Sequence, residues 1–288
     1  MSSAALLLVI CAALLHAYWN LLAKRSGGGA TFVWLYSLVE TLVYAPALGV
    51  FLWVEHPLFG WREAAVIGGT ALLHLCYSLS LQTGYRRADL SVVYPIARGF
   101  GPLLSSATAM VWLGERLSVV AGAGALLIVA GVFICAGGPV IFRSTDARVR
   151  HGIAWGLLTG AFIAGYTVLD GCAVKIALMS PLLLDYSGNF VRLLLLTPNA
   201  LRRRDLLARQ WRETWRFAVG VGALAPLAYI LVLGAMRWAP ISAVAPAREI
   251  SMMLGVFLGA KILNEGDARR RLISAAMMIL GVIALMWG

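Results

Sequence analysis

Polar and charged side chains recur inside the apolar runs of this 288-residue chain, in pairs and triplets at helical spacing. His16, Trp19 and Asn20 fall at i, i+3 and i+4, one face of one helix. His74, Tyr77 and Ser78 repeat that spacing, and Tyr94 and Arg98 lie one turn apart, followed by Gly99, Gly101 and Pro102. Tyr166 and Asp170 are again at i and i+4; Tyr186, Asn189 and Arg192 share a later run, then come Tyr229 and the triplet Arg248, Glu249 and Ser251. Arginines suit a carboxylate, carboxylates suit a cation, and aromatic faces wall a cavity and attract cations. Imidazoles exchange protons near neutral pH. No DxxD, HxxxD, HExxH or GxSxG arrangement accompanies them, so hydrolytic chemistry finds no support. A plainer role is open for each group: His16 and His74 equally serve to bond a neighbouring helix, Arg248 and Glu249 to satisfy other helices as a structural network, and Glu40 to neutralise an arginine.

The elements that must hold these groups are membrane spans. With 61% hydrophobic and 13% charged residues and a mean hydropathy of +0.84, the chain is too apolar for a soluble domain, where about a quarter of residues are charged. A span needs about 20 apolar residues, and the pattern predicts ten, at 4–23, 31–54, 64–85, 91–112, 119–142, 153–177, 181–201, 217–236, 241–262 and 272–287. Lys24 and Arg25 follow the first run instead of preceding it, so it reads as a retained span and not as a secretory signal. Cys11, Cys76, Cys135 and Cys172 lie inside apolar runs without paired spacing, which points to packing and to neither disulfides nor a metal site. No cofactor is expected.

Basic residues crowd the loops after odd-numbered spans, leaving little beyond Arg62, Arg116 and Arg237 after even-numbered ones. Cytoplasmic loops carry that excess, so both termini are expected on the non-cytoplasmic side, and the net charge of +11 needs no nucleic acid to explain it. The basic stretch 202–216 places Leu207, Trp211, Thr214 and Trp215 on one side, as expected of an interfacial helix on anionic headgroups. Gly152, Gly156 and Gly160, Gly255 and Gly259, and Gly122, Gly124 and Gly131 predict close helix contacts.

A shift of 150 residues lays Arg98 on Arg248, Glu115 on Glu265, Gly131 and Val132 on Gly281 and Val282, Arg87 on Arg237 and Asn20 on Asp170. Such register indicates duplication. Five spans per copy is an odd number, so the second copy enters the membrane inverted, a plan recurrent in transporters. The expected fold is all-α integral membrane, ten transmembrane helices as two inverted five-helix repeats, residues 1–142 and 151–288.

The run 94–132, with Pro95 near its start, Gly114 and Glu115 at the span's end and Ala130, Gly131 and Val132 closing the next, resembles the EamA-type domain of the drug/metabolite transporter superfamily. Its echo ends in Asn264, Glu265, Gly281 and Val282, so the resemblance covers essentially the whole chain. The second copy departs in having Asn264 opposite Gly114 and Pro246 one place beyond the match to Pro95. Members are often drawn with cytoplasmic termini, opposite to the charge pattern here. The resemblance implies a ten-helix exporter in a bacterial inner membrane, with a cavity lined by spans one, three, four, six, eight and nine and with aromatic or other neutral amino acids as substrates.

The expected substrate site is therefore His16, Trp19, Asn20, His74, Tyr77, Ser78, Tyr94, Arg98, Tyr166, Asp170, Tyr229, Arg248 and Glu249, in a monomer without metal. The carboxylate of a small zwitterion would lie near Arg98 or Arg248 and its ammonium near Asp170, Glu249 or Asn20, with hinges near Pro95, Pro102, Pro226 and Pro246. Protonation of His74, His16 or a carboxylate would couple export to the proton gradient; coupled and passive movement are both open. A nucleotide-sugar, a phosphonate-related compound or an organic cation is the alternative cargo, and a lipid-modifying enzyme or a scaffold the alternative class.

Overall fold

The computed structural model describes residues 2–26, 29–57, 60–88, 90–136, 146–251 and 268–287. Among them the chain is all helix: α1 Ser3–Arg25, α2 Ala30–Glu55, α3 Trp61–Arg87, α4 Leu90–Trp112, α5 Val119–Ala136, α6 Ala147–Lys175, α7 Pro181–Arg202, α8 Arg204–Trp238, α9 Ile241–Ala247 and α10 Ala268–Trp287. Five helices are long and apolar enough to cross a membrane, α1, α2, α3, α6 and α8, and α5 and α10 hold shorter apolar stretches. Large apolar side chains such as Leu14, Leu42, Val50, Leu72, Leu126 and Leu280 face outward, which fits a membrane-embedded protein. Exposed Trp53, Trp61, Trp112, Trp238 and Trp287 all stand at helix ends, where indole rings favour the headgroup level.

Local signals set the boundaries. α2 stops at His56, which turns left-handed at φ 43° before Pro57. α6 starts where the Asp146 carboxylate accepts the Arg148 N–H at 2.8 Å. Pro181 opens α7, at the position where a missing N–H is harmless. Of the basic stretch 202–216, expected as an interfacial helix, residues 204–216 are the first turns of a longer helix. α8 runs without interruption from Arg204 through Pro226 to Trp238, so that stretch continues the axis of the eighth span. Its Leu207 packs toward Phe32 and Leu35, and Thr214 is buried.

α1 packs on α8, α3 on α6, α2 on α7 and α5 on α10, while α4 lies against α6 and α9. Two crossings are built on several glycines each. A Cβ on Gly124 would stand 2.5 Å from the Gly281 carbonyl oxygen, and one on Gly131 2.9 Å from that of Ser274, so α5 and α10 meet backbone to backbone. On the α4 side of α6, a Cβ at Gly156 would meet Ile96 at 2.8 Å and one at Gly160 the Ala97 carbonyl at 3.1 Å. Gly255 and Gly259 lie outside the described residues.

Candidate functional site

The polar groups of the interior gather in two neighbouring clusters. The first joins α1, α4 and the turn after α9. α9 ends at Ala247 just past Pro246, which cannot continue the hydrogen-bond ladder. The Glu249 N–H then bonds the Pro246 carbonyl and the Ser251 N–H that of Arg248, three residues back in each case. This tightened turn carries Arg248 and Glu249, 4% and 0% exposed. Arg98 Nε lies 2.9 Å from Glu249 Oε2, and Arg98 Nη2 reaches Ser251 Oγ at 3.3 Å and His16 Nε2 at 3.4 Å. A guanidinium only donates, so His16 Nε2 accepts and the ring is neutral in this arrangement. Trp19 meets His16 edge to face at 4.7 Å, and Tyr94 lies under Arg98 with 6.0 Å from guanidinium carbon to ring centre.

Arg248 is less well satisfied. Its Nε is 3.8 Å from Glu249 Oε1, beyond hydrogen-bond reach, and Nε and Nη2 are buried without a hydrogen-bond partner among the described residues.

The second cluster joins α3, α6, α7 and α8. Tyr229 donates to Asp170 Oδ2 at 2.5 Å and His74 Nε2 lies 3.2 Å from the same oxygen. Asp170 is 1% exposed, and its other oxygen, Oδ1, has no partner among the described residues. His74 stacks on Tyr166 with centres 4.0 Å apart, and Tyr77 and Tyr229 meet Tyr166 edge to face. Beside this aromatic box is a cavity of about 20 Å³ lined by Thr70, His74, Asp170, Asp185, Asn189, Arg192 and Tyr229, with Leu184 and Gly188.

The α7 wall of that cavity extends the site beyond the residues expected from the sequence. Asn189 Nδ2 donates to the Ser37 carbonyl at 3.0 Å and to Thr41 Oγ1 at 3.1 Å, and its Oδ1 accepts from Arg192 at 2.7 Å. Glu40 stands 3.9 Å from Arg192. Asp185, Asn189 and Arg192, at i, i+4 and i+7, share one helix face, and that spacing is visible in the sequence. Asn20 and Ser78 are engaged elsewhere: each donates to its own helix, at the His16 and His74 carbonyls. α4 passes unbroken through the positions of Pro95 and Pro102, and α8 through Pro226; of the four prolines only Pro246 borders an interruption.

One end of the bundle is stapled by Glu115, in the turn between α4 and α5. Its carboxylate accepts the N–H groups of Ile241 and Ser242, each at 2.9 Å, and the Ser242 hydroxyl at 2.8 Å, and it pairs with Lys175 at 2.7 Å. Burial alone would raise this carboxyl. The Lys175 bond and the donors of Ser242 and Ile241 outweigh burial and hold it below its usual value of 4.5. Ser106 adds a bond to the Ser242 carbonyl at 3.0 Å, and Arg237 bonds the Leu178 and Met179 carbonyls beside it.

No known family's sequence profile matches the chain, and no curated protein does. Among solved structures the chain is similar to one described as "Crystal structure of protein", with a TM-score of 0.72 and 18% identity over 99% of this chain and 99% of that one. At that identity the likeness shows a shared fold along the whole length and nothing of function.

Proposed function

We propose that this chain is a transporter of the drug/metabolite type, ten spans in two inverted five-helix repeats, exporting a small zwitterion such as an aromatic or neutral amino acid by alternating access. The observation that carries the reading is a group of charges of both signs with buried, unpartnered atoms, Arg98, Arg192 and Arg248 with Glu40, Asp170 and Glu249, gathered around an interrupted helix and an aromatic box. A purely structural core would pair such groups fully, because an unpaired buried charge is strongly destabilising. Interrupted helices near the middle of a bundle are where transporters build their sites.

Packing supports the repeat. Under the shift of 150 residues, α1 on α8 corresponds to α6 on α3, and α2–α7 and α5–α10 each correspond to themselves. The crossing of α5 and α10 repeats to the residue, since Gly131 opposite Ser274 maps onto Gly281 opposite Gly124. The arginine-rich loops orient the chain in a bacterial inner membrane with both termini outside the cytoplasm.

The substrate carboxylate binds the free nitrogens of Arg248, with Arg98 holding Glu249 alongside; the ammonium faces Glu249 and the rings of Tyr94 and Tyr166. Trp19, Tyr77 and Tyr229 complete the walls. Counterflow of a panel of amino acids into liposomes holding the purified chain tests this. Arg248→Ala is expected to raise the apparent KM tenfold or more, about 1.4 kcal/mol of binding. Unchanged uptake of every amino acid in both Arg98→Ala and Arg248→Ala removes the anchoring idea. Competition by simple amines as strong as by amino acids would move the substrate class to organic cations.

A further inference from the structure

α8 is longer than a bilayer's hydrocarbon is thick. Its 35 residues extend about 52 Å at about 1.5 Å per residue, against about 30 Å of hydrocarbon. Residues 217–238, with Arg237 as their one charge, make about 33 Å of helix and fill that thickness. The surplus is the basic stretch 204–216. Its inner face is occupied: Leu207 and Phe217 pack on the cluster of Phe32 and Leu35, and Thr214 and Ala218 are buried. Its outer side is bare. Trp211 and Trp215, one turn apart, are 40% and 45% exposed. The arginine that follows each, Arg212 and Arg216, is exposed too, about 100° further round the helix.

We propose that this flank of α8 binds the headgroups of anionic lipids, with Arg212 and Arg216 on the phosphates and Trp211 and Trp215 among the headgroups beside them. Position argues for it. Trp215 and Arg216 stand where the hydrocarbon begins, and Trp211 and Arg212 are one turn, about 5–6 Å, farther out, within a headgroup layer about 5–8 Å deep on each side. Indole rings favour that level, and a guanidinium meets a phosphate with two parallel N–H bonds. A soluble acidic protein would answer the arginines but not indoles held at the edge of the hydrocarbon.

Charge argues for it as well. Residues 202–216 hold six arginines against two carboxylates, Asp205 and Glu213. Glu213 is engaged by Arg209 at 2.9 Å, and Asp205 stands in the first turn of α8, where it complements the helix start. Among the described residues no carboxylate lies within ion-pair distance of Arg212 or Arg216. α1 adds a third cation. Leu22 lies beside Gly220 and Leu8 beside Gly234, so α1 and α8 run antiparallel, and Arg25, exposed at the end of α1, comes level with Phe217.

The proposal stands apart from the transport reading, since bound lipid is measured without any substrate. The purified full chain in detergent is offered equal amounts of phosphatidylglycerol and phosphatidylcholine, and native mass spectrometry counts the lipids of each kind that it retains. Each basic residue near the surface gives about a fivefold preference for the anionic lipid. Three of them predict about a hundredfold preference in the wild type, and about fivefold in Arg212→Gln with Arg216→Gln. Arg212→Lys with Arg216→Lys keeps the charge and should keep the preference. Trp211→Ala with Trp215→Ala should lower the retention of both lipids together. Equal retention of the two lipids by the wild type overturns the proposal and leaves the arginines to a soluble acidic partner. So does a preference that survives Arg212→Gln with Arg216→Gln, or unchanged retention in the tryptophan pair. Displacement of phosphatidylglycerol by an equal concentration of glycerol phosphate also overturns it, by making this a site for free phosphate.

Discussion

Replacing Glu115 with alanine removes the acceptor for two backbone N–H groups at the start of α9, for the Ser242 hydroxyl and for Lys175. Bonds to a charged acceptor contribute about 1.5–3 kcal/mol each. The Glu115 side chain is 7% exposed, so water replaces only part of that. The Lys175 pair is 32% exposed on the lysine side and adds at most about 1 kcal/mol. Glu115→Ala should therefore weaken this end of the bundle by about 3 kcal/mol, and Lys175→Met by about 1 kcal/mol or less. If that end opens in alternating access, about 3 kcal/mol is more than a hundredfold in the ratio of open to closed states. Spin labels at exposed positions 116 and 238, on a background without the native cysteines, report the gap directly. The wild type should give one short distance, Glu115→Ala mostly a longer one, Glu115→Gln a mixture because its amide NH2 faces a donor at one of the two acceptor positions, and Lys175→Met a distance close to the wild type. Identical distance distributions in Glu115→Ala and the wild type would refute the reasoning. The pH dependence has a definite sign. A carboxyl held below its usual value stabilises fully above 4.5 and loses its contribution as pH falls through the lower folded value. The short distance should persist unchanged from pH 8 to pH 5 and lengthen only below 4.5.

Gly281→Ala places a methyl 2.5 Å from the Gly124 carbonyl oxygen and 2.7 Å from Ile128. The backbones must part, at a cost of about 1–3 kcal/mol, seen as earlier thermal aggregation in detergent; an unchanged transition would refute the close crossing. Asn189→Leu keeps the branching of the side chain but strips Arg192 of its Asn189 acceptor and removes the donor to Thr41 Oγ1 and to the Ser37 carbonyl, leaving Thr41 only its own bond to that carbonyl. About 2–3 kcal/mol should be lost, and a melting point equal to wild type would show that the α2–α7 network carries no stability.

What the sequence makes legible follows from what is local. Apolar length and the breakers between runs are local properties, so most helices fall within a few residues of their expected limits, α8 and α9 being the exceptions, and i, i+4 spacing marks Tyr166 with Asp170 and Tyr94 with Arg98 as shared faces. Partners across the fold are not local. Glu115 reads as a boundary residue because its charge ends an apolar run, and its real contacts lie 126 and 127 positions away. Arg98 and Arg248 look equivalent under the shift of 150 residues, yet Glu249 takes Arg98 at 2.9 Å and leaves Arg248 at 3.8 Å. The basic stretch 202–216 reads as an interfacial helix, but after the turn at Arg203 its Arg, Leu, Ala, Gln and Glu residues all favour helix, and α8 runs from Arg204 through them into the eighth span. Asp185 escapes notice because it sits one turn after Pro181, where an acid reads as complementing a helix start.

The Glu115 staple and the Asn189 network brace different contacts, which separates two ways of loosening the bundle. Glu115 ties the start of α9 and Lys175 of α6 to the turn between α4 and α5, whereas Asn189 ties α7 to α2 through the Ser37 carbonyl and Thr41. Glu115→Ala and Asn189→Leu share no partner among the described residues, so the losses of their double variant should add to within about 0.5 kcal/mol. A loss well below the sum in thermal unfolding would show that the two braces open as one unit.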